Sequence, residues 1–195
     1  MRSFLYKYFV NDQTLPYRYL DIFRNPLVTN WTRYIDDSKK LFLHIDQGGN
    51  YLLPEVKEFF LELGLVPKRG NLWSRNPFNV PPYHTDQKQD CELFAINWLL
   101  SGESGITEWS FKALKYKIEH TQQPLLDKTN PQFWGDPAMT PDFLAVLDKP
   151  MMIRTDIPHR VNTIKNSTWR ISYSLRFEDN PSWEVGLEKL KNYII

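Results

Sequence analysis

The residues whose types and spacing could do chemistry are His84-Thr85-Asp86, then His159, then Arg170 and Ser172 after ten intervening residues. Two imidazoles and one carboxylate can hold a divalent iron by one face and leave the remaining positions open. Side chains of an extended segment repeat every two residues, so His84 and Asp86 share a side while Thr85 turns away. Arg170 and Ser172 share a side for the same reason, and a guanidinium beside a hydroxyl can receive a carboxylate. The pattern reads as a metal site next to an acid site.

His-x-Asp alone is a weak signal, and the chain contains a second copy, His44-Ile45-Asp46. That copy is assigned to structure, because it stands before a Gly48-Gly49 turn and the first long helix, outside the β-rich block. The segment that carries Arg170 alternates throughout. Ile171, Tyr173, Leu175 and Phe177 make one face, and Arg170, Ser172, Ser174 and Arg176 the other. The polar face either lines a lumen or meets solvent; the strand by itself leaves both open. Lys165-Asn166-Ser167 reads as a hairpin turn, which would put the strand of His159 and the strand of Arg170 side by side.

The elements that must position these groups form one unit over 1–195, without repeats or linkers. Leu41 to Ile45 reads as a strand, and Pro54 to Leu63 as a helix with Val56, Phe59, Phe60 and Leu63 on one stripe and Gly64 as its stop. From Asn71 to Phe177 short strands follow one another: Leu72 to Arg75, Tyr83 to Asp86, Cys91 to Leu100, Ile106 to Phe111, Phe143 to Leu147, Met151 to Thr155, Pro158 to Ile164 and Trp169 to Phe177. Such a series predicts a mainly β sandwich or barrel with a core at about 71–177, support from 1–70 and a C-terminal helix in 181–195. Trp183, Leu187, Leu190 and Ile194 form a stripe on that helix, for packing or for a homodimer contact; the chain is read as a monomer or such a dimer. Between Lys112 and Asp142 lies a less patterned insertion.

With 24 basic and 23 acidic residues the net charge is +1, so nucleic acid is not an expected partner. No apolar run has the length of a membrane span, and the start lacks a signal-peptide core, so no membrane association and a cytoplasmic location are expected. The lone Cys91 excludes an internal disulfide and fits a reducing compartment.

His-x-Asp, the distal His, and Arg-x-Ser after ten residues resemble the iron(II)/2-oxoglutarate-dependent dioxygenases. Cys91-Glu92-Leu93-Phe94-Ala95-Ile96-Asn97-Trp98, Ile106-Thr107-Glu108-Trp109 and Ile157-Pro158-His159-Arg160-Val161-Asn162 resemble the small microbial and phage members related to aspartyl/asparaginyl or prolyl hydroxylases. The chain departs from the best-known aspartyl hydroxylases in keeping the carboxylate, Asp86. The resemblance implies a double-stranded β-helix of the jelly-roll, cupin-like type with flanking helices. It makes His84, Asp86 and His159 the Fe(II) ligands and Arg170 and Ser172 the receptors of the distal 2-oxoglutarate carboxylate. It further implies O2 as co-substrate, ascorbate as a supporting reductant, and hydroxylation of a small molecule, amino-acid side chain or peptide, with succinate and carbon dioxide as co-products.

Asn97 is read either as a contact to that cosubstrate or as a hydrogen-bonded core amide. Thr107, Trp109 and Phe111 either wall the substrate space or belong to the core. Trp134, in Gln132-Phe133-Trp134-Gly135, belongs to a lid over the substrate or to an ordinary surface loop. Two other classes stay open: a cupin-like metal enzyme that does not use 2-oxoglutarate, and a non-catalytic jelly-roll binding module.

Overall fold

The computed structural model of the chain describes residues 15–28, 41–75, 83–86, 93–102, 104–111, 132–134, 140–162 and 170–195. Among these the chain is mainly β. In order along the sequence come β1 (Tyr17–Tyr19), β2 (Leu41–Gln47), α1 (Pro54–Glu62), β3 (Pro67–Arg75), β4 (Tyr83–Thr85) and β5 (Phe94–Ser101). They are followed by β6 (Ile106–Trp109), β7 (Gln132–Trp134), β8 (Phe143–Val146), β9 (Met151–Arg154), β10 (His159–Asn162), β11 (Arg170–Phe177) and α2 (Trp183–Leu190).

The strands form two antiparallel sheets, ordered β1-β9-β5-β11-β3-β2 and β7-β4-β10-β6-β8. Strands β3 to β6 alternate between the two sheets, and so do β8 to β11. Alternate residues of the six-stranded sheet enter two separate cores. Leu72, Ile96, Trp98, Met152, Tyr173, Leu175 and Phe177 pack outward with Val56 and Phe60 of α1 and Trp183 and Leu190 of α2. Ala95, Met151 and Ile153 point the other way and meet Trp109 and Ala145 of the five-stranded sheet.

Both helices are set by short-range signals. Pro54 opens α1, where the missing N–H costs nothing, and Gly64 leaves it at φ 65°, a conformation that glycine adopts without strain. Ser182 caps α2 by accepting from the Val185 N–H. Lys189 of α2 donates to the Leu63 carbonyl at 2.6 Å, so one helix closes the C-terminal end of the other. The predicted stripe of α2 faces its own chain: Trp183 and Leu190 are buried, and Leu187 and Ile194 pack against them. No helix among the described residues is long and apolar enough to cross a membrane.

Two expectations need correction. The strand expected from Leu72 begins at Pro67, so it includes a proline and a glycine, residue types that strands seldom hold in their interior. A Cβ on Gly70 would lie 1.9 Å from the Tyr173 hydroxyl oxygen, so this glycine makes room for a ring inside a strand. The strands of His159 and Arg170 are not a hairpin. β10 pairs with β4 and β6, whereas β11 pairs with β3 and β5 in the other sheet. Turn-forming residues mark a reversal of the chain but not whether the next strand pairs with the last or crosses to the opposite sheet; Lys165-Asn166-Ser167 itself lies outside the described residues.

The packing of Tyr173 against Gly70 gives a direct test. Gly70→Ala should destabilise the fold by about 1–3 kcal/mol, since overpacking a filled interior forces a side chain or backbone to shift. Thermal unfolding should show a midpoint lower by roughly 2–4 °C per kcal/mol. An unchanged midpoint would mean that the Tyr173 ring does not depend on the space that Gly70 leaves.

Candidate metal centre

β4 and β10 are neighbours, and the residue of β10 that stands opposite His84 is His159. The two imidazole centroids are 4.7 Å apart. Asp86 follows β4 directly, where its backbone N–H donates to the Thr155 carbonyl at 3.1 Å and ties the strand end to the segment after β9. Its Oδ1 lies 3.5 Å from His84 Nε2 and 3.8 Å from His159 Nε2. One ligand atom from each residue falls within 4.8 Å of the others. Two metal bonds of about 2.1 Å at a right angle separate their ligand atoms by about 3 Å, so movements under an ångström would close the three donors on one ion. His159 is 5 % exposed against 19 % for His84 and 24 % for Asp86, so the site opens on the side of the latter two.

The protonation states suit ligation. His159 Nδ1 lies 2.9 Å from the Ile157 carbonyl; donating there leaves Nε2 as a lone-pair donor toward Asp86. Burial pushes the His159 pKa down to about 4, although Asp86 opposes the shift, so the ring is neutral at pH 7. For Asp86 burial favours the neutral acid, but Arg176 and the two imidazoles outweigh it and hold the carboxyl at about 2. A divalent ion therefore needs to displace no proton from either group.

Sequence reasoning missed Arg176. Its Nη2 donates to Asp86 Oδ2, and its Nη1 donates to Ser174 Oγ at 2.6 Å. Ser174 Oγ in turn donates to Asn97 Oδ1 at 2.5 Å. Only the alternation of β11 hinted at this, since the acidic partner stands 90 positions away. That alternation resolves as an interior face: Arg170, Ser172, Ser174 and Arg176 are 5 %, 8 %, 5 % and 3 % exposed. Arg170 and Ser172 thus line the space between the sheets, on the sheet opposite to His159.

The first residues of the five-stranded sheet's β6 lead toward Arg170. A Cβ on Gly105 would lie 3.1 Å from Val161 Cγ1 and 3.3 Å from Arg170 Cδ and Nε. The missing side chain lets the arginine lie against this backbone, a role that sequence patterning did not suggest. Thr107 stands between, in register with Val161, while Trp109 is in register with His159. The Thr107 hydroxyl is buried and, among the described residues, has no hydrogen-bond partner. From Trp109 to Gly105 the strand climbs about 13 Å, so Thr107 lies midway between the level of the triad and that of Arg170.

Trp109 itself is not a wall of the substrate space. It is fully buried, its ring stacks on Tyr17 with centroids 5.5 Å apart, and its N–H donates to the Arg154 carbonyl at 3.1 Å. The insertion, expected to form a lid or a surface loop, holds a strand: β7 runs beside β4, with Phe133 in register with His84 and Trp134 in register with Tyr83. Three residues are too few for a period to show. Cys91 and most of the insertion lie outside the described residues. Asp46 of the second His-x-Asp accepts from the Tyr173 hydroxyl at 2.8 Å and from the Asn50 and Tyr51 N–H groups at 2.7 and 3.1 Å, which makes it a structural carboxylate.

The outer face of the same strands is clamped. Glu108 accepts from Arg160 Nε at 2.5 Å, from Asn162 at 3.0 Å and from the Tyr83 hydroxyl at 3.3 Å, and the Arg160 guanidinium lies 4.3 Å from the Tyr83 ring centre. Burial drives the Tyr83 phenol up to about 12, so it stays a donor. These contacts join β4, β6 and β10, two of which carry the histidines.

No family model matches the chain, and no curated protein does. Among solved structures it is similar to AviO1 from Streptomyces viridochromogenes Tue57, at 12 % identity over 92 % of this chain and 81 % of that one, with a TM-score of 0.42. A likeness that weak bears on neither fold family nor activity.

Two outcomes follow. One divalent ion should bind per chain, and be lost in His84→Ala, Asp86→Ala and His159→Ala; Asp46→Ala should unfold at lower temperature yet keep its metal when analysed for element content. For His159 the folded pKa of about 4 lies below the ordinary value of 6.5, so between those values the unfolded chain binds more protons and stability rises with pH. The metal-free protein should therefore lose stability as pH falls from about 6.5 to about 4, and His159→Gln should flatten that step in urea titrations. An equal slope in the variant would refute the neutral, buried ring.

Proposed function

We propose that the chain is an Fe(II)- and 2-oxoglutarate-dependent dioxygenase that hydroxylates a small molecule or an amino-acid side chain. The observation that carries this reading is the convergence of His84, Asp86 and His159 beside an interior face that presents a buried arginine and serine. The alternation of β3 to β6 and β8 to β11 between two antiparallel sheets supports a double-stranded β-helix. Divalent iron fits the donor set, since two imidazoles and one carboxylate leave positions for a chelating keto acid and for dioxygen.

A five-carbon diacid fits the rest. Its keto acid end would sit at the triad and its distal carboxylate at Arg170 and Ser172, since a guanidinium fork and a hydroxyl suit a carboxylate. Thr107 offers a hydroxyl on the way, and a buried hydroxyl lacking a partner marks a place where a ligand or water completes the bonding. Together with O2, iron and 2-oxoglutarate supply an oxidative decarboxylation coupled to C–H hydroxylation, releasing succinate and carbon dioxide. The residues of this chain hold the ion, orient the diacid and keep His159 unprotonated at Nε2. The substrate would approach from the His84 and Asp86 side, where the site is open.

Thermal shift with a redox-inert divalent metal tests the cosubstrate assignment. At a hundredfold excess over its Kd, 2-oxoglutarate should add about 2.7 kcal/mol, roughly 5–10 °C for a chain of this size. Arg170→Ala should abolish that increment and keep the metal-only shift; Gly105→Ala, which crowds the arginine, should weaken it. An Arg170→Ala protein that responds in full would favour a metal enzyme of another class, and succinate release in the wild type under air would exclude a mere binding module.

A further inference from the structure

Arginine has only N–H donors, so each of its contacts fixes the direction of the next bond. Ser174 Oγ accepts from Arg176 at 2.6 Å, and its own single proton goes to Asn97 Oδ1 at 2.5 Å. The Asn97 amide is thereby oriented: its oxygen faces Ser174, and its Nδ2 is left as the donor for whatever occupies the space beside it. At the other end Arg176 takes Oδ2 of Asp86, and the two imidazole Nε2 atoms face Oδ1. The β11–β3 register slips between Arg176 and Phe177, and a slip of this kind re-aims a side chain next to a site.

We infer that Arg176 is a positioning residue: it confines Asp86 to one metal-binding oxygen and, through Ser174, turns the Asn97 amide into a donor for the keto acid that chelates the same ion. This rests on the metal-site reading given above. A carboxylate free on both oxygens can close on an ion in a bidentate manner and fill a position that the chelating ligand needs. With Oδ2 held by a guanidinium, that mode is closed. The same guanidinium also offsets the carboxylate charge, so an ion at the triad keeps more of its attraction for an anionic chelator.

Cobalt(II), whose d–d absorption reports coordination number and geometry, is the probe. The wild-type protein should bind one cobalt ion, and His84→Ala should lose it. Arg176→Ala should still bind cobalt but show a changed d–d spectrum with weaker bands, because Asp86 supplies a second oxygen; a purely structural role would move the unfolding midpoint and leave the spectrum alone. Ser174→Ala, which keeps Arg176 on Asp86, should show the wild-type spectrum with metal alone. Its 2-oxoglutarate affinity, followed by the spectral change on titration, should fall about tenfold, as expected when one hydrogen bond to a charged ligand is lost. Should Arg176→Ala not fold, Arg176→Gln replaces it, with the same spectral outcome expected. A wild-type spectrum in the Arg176 variant, with unaltered 2-oxoglutarate affinity in Ser174→Ala, would overturn the role of Arg176. Cobalt that binds equally well to His84→Ala would instead overturn the metal site itself.

Discussion

Asp86 is bound from two directions, by Arg176 of the six-stranded sheet on one oxygen and by the histidines of the five-stranded sheet across the other. An ionised carboxylate between two sheets is costly to desolvate, and so is a guanidinium removed from water. Each makes the other tolerable. The pairing also dictates where β4 ends, since Asp86 is held by its backbone at Thr155 and by its side chain at β11. The buried His159 ring, neutral at pH 7, can then face the free oxygen of Asp86 through Nε2 beside His84.

The space between the sheets is divided by the same arrangement. Toward β9 and β1 it is apolar, filled by Met151, Ile153, Ala95 and Trp109 with Tyr17 and Tyr19 packed alongside. Toward β11 it is polar, lined by Arg170, Ser172, Ser174 and Arg176 with Asn97 opposite Ser174. Arg170 and Arg176 occupy the two ends of one strand face, about 20 Å apart along the chain. Arg176 meets a carboxylate of the protein, and Arg170 is the residue to which the proposed function assigns the distal carboxylate of the diacid. Glu108 and its partners tie the outer side of the sheet together, so the two strands that carry the histidines are supported by a buried ionic clamp.

Much of this was legible in the residues. Periodicity of two placed His84 and Asp86 on one side and separated the polar from the apolar face of β11, because alternation is a local property of an extended chain. The stripe on α1 and the stop at Gly64 were legible for the equivalent helical reason. What escaped were relations across the fold. Alternation cannot say that β10 and β11 lie in different sheets, nor that Arg176 finds its partner in Asp86. Nothing in the pattern singled out Gly70 or Gly105, and only the positions of Tyr173 and Arg170 reveal that each glycine marks a side chain arriving from another strand. Periodicity left Trp109 open between a wall of the substrate space and the core, because it could not show that Tyr17, from a strand at the edge of the other sheet, stacks on its ring.

The most direct measurement is an anaerobic titration of the purified protein with Fe(II) and 2-oxoglutarate, followed in the visible. A keto acid chelated to ferrous iron gives a metal-to-ligand charge-transfer band that neither component shows alone. The band is expected to appear and saturate at one iron and one 2-oxoglutarate per chain, to vanish in His84→Ala, and to require far more 2-oxoglutarate in Arg170→Ala. Iron bound at that stoichiometry with no band at any 2-oxoglutarate concentration, or an undiminished band in His84→Ala, would contradict the assignment of the site.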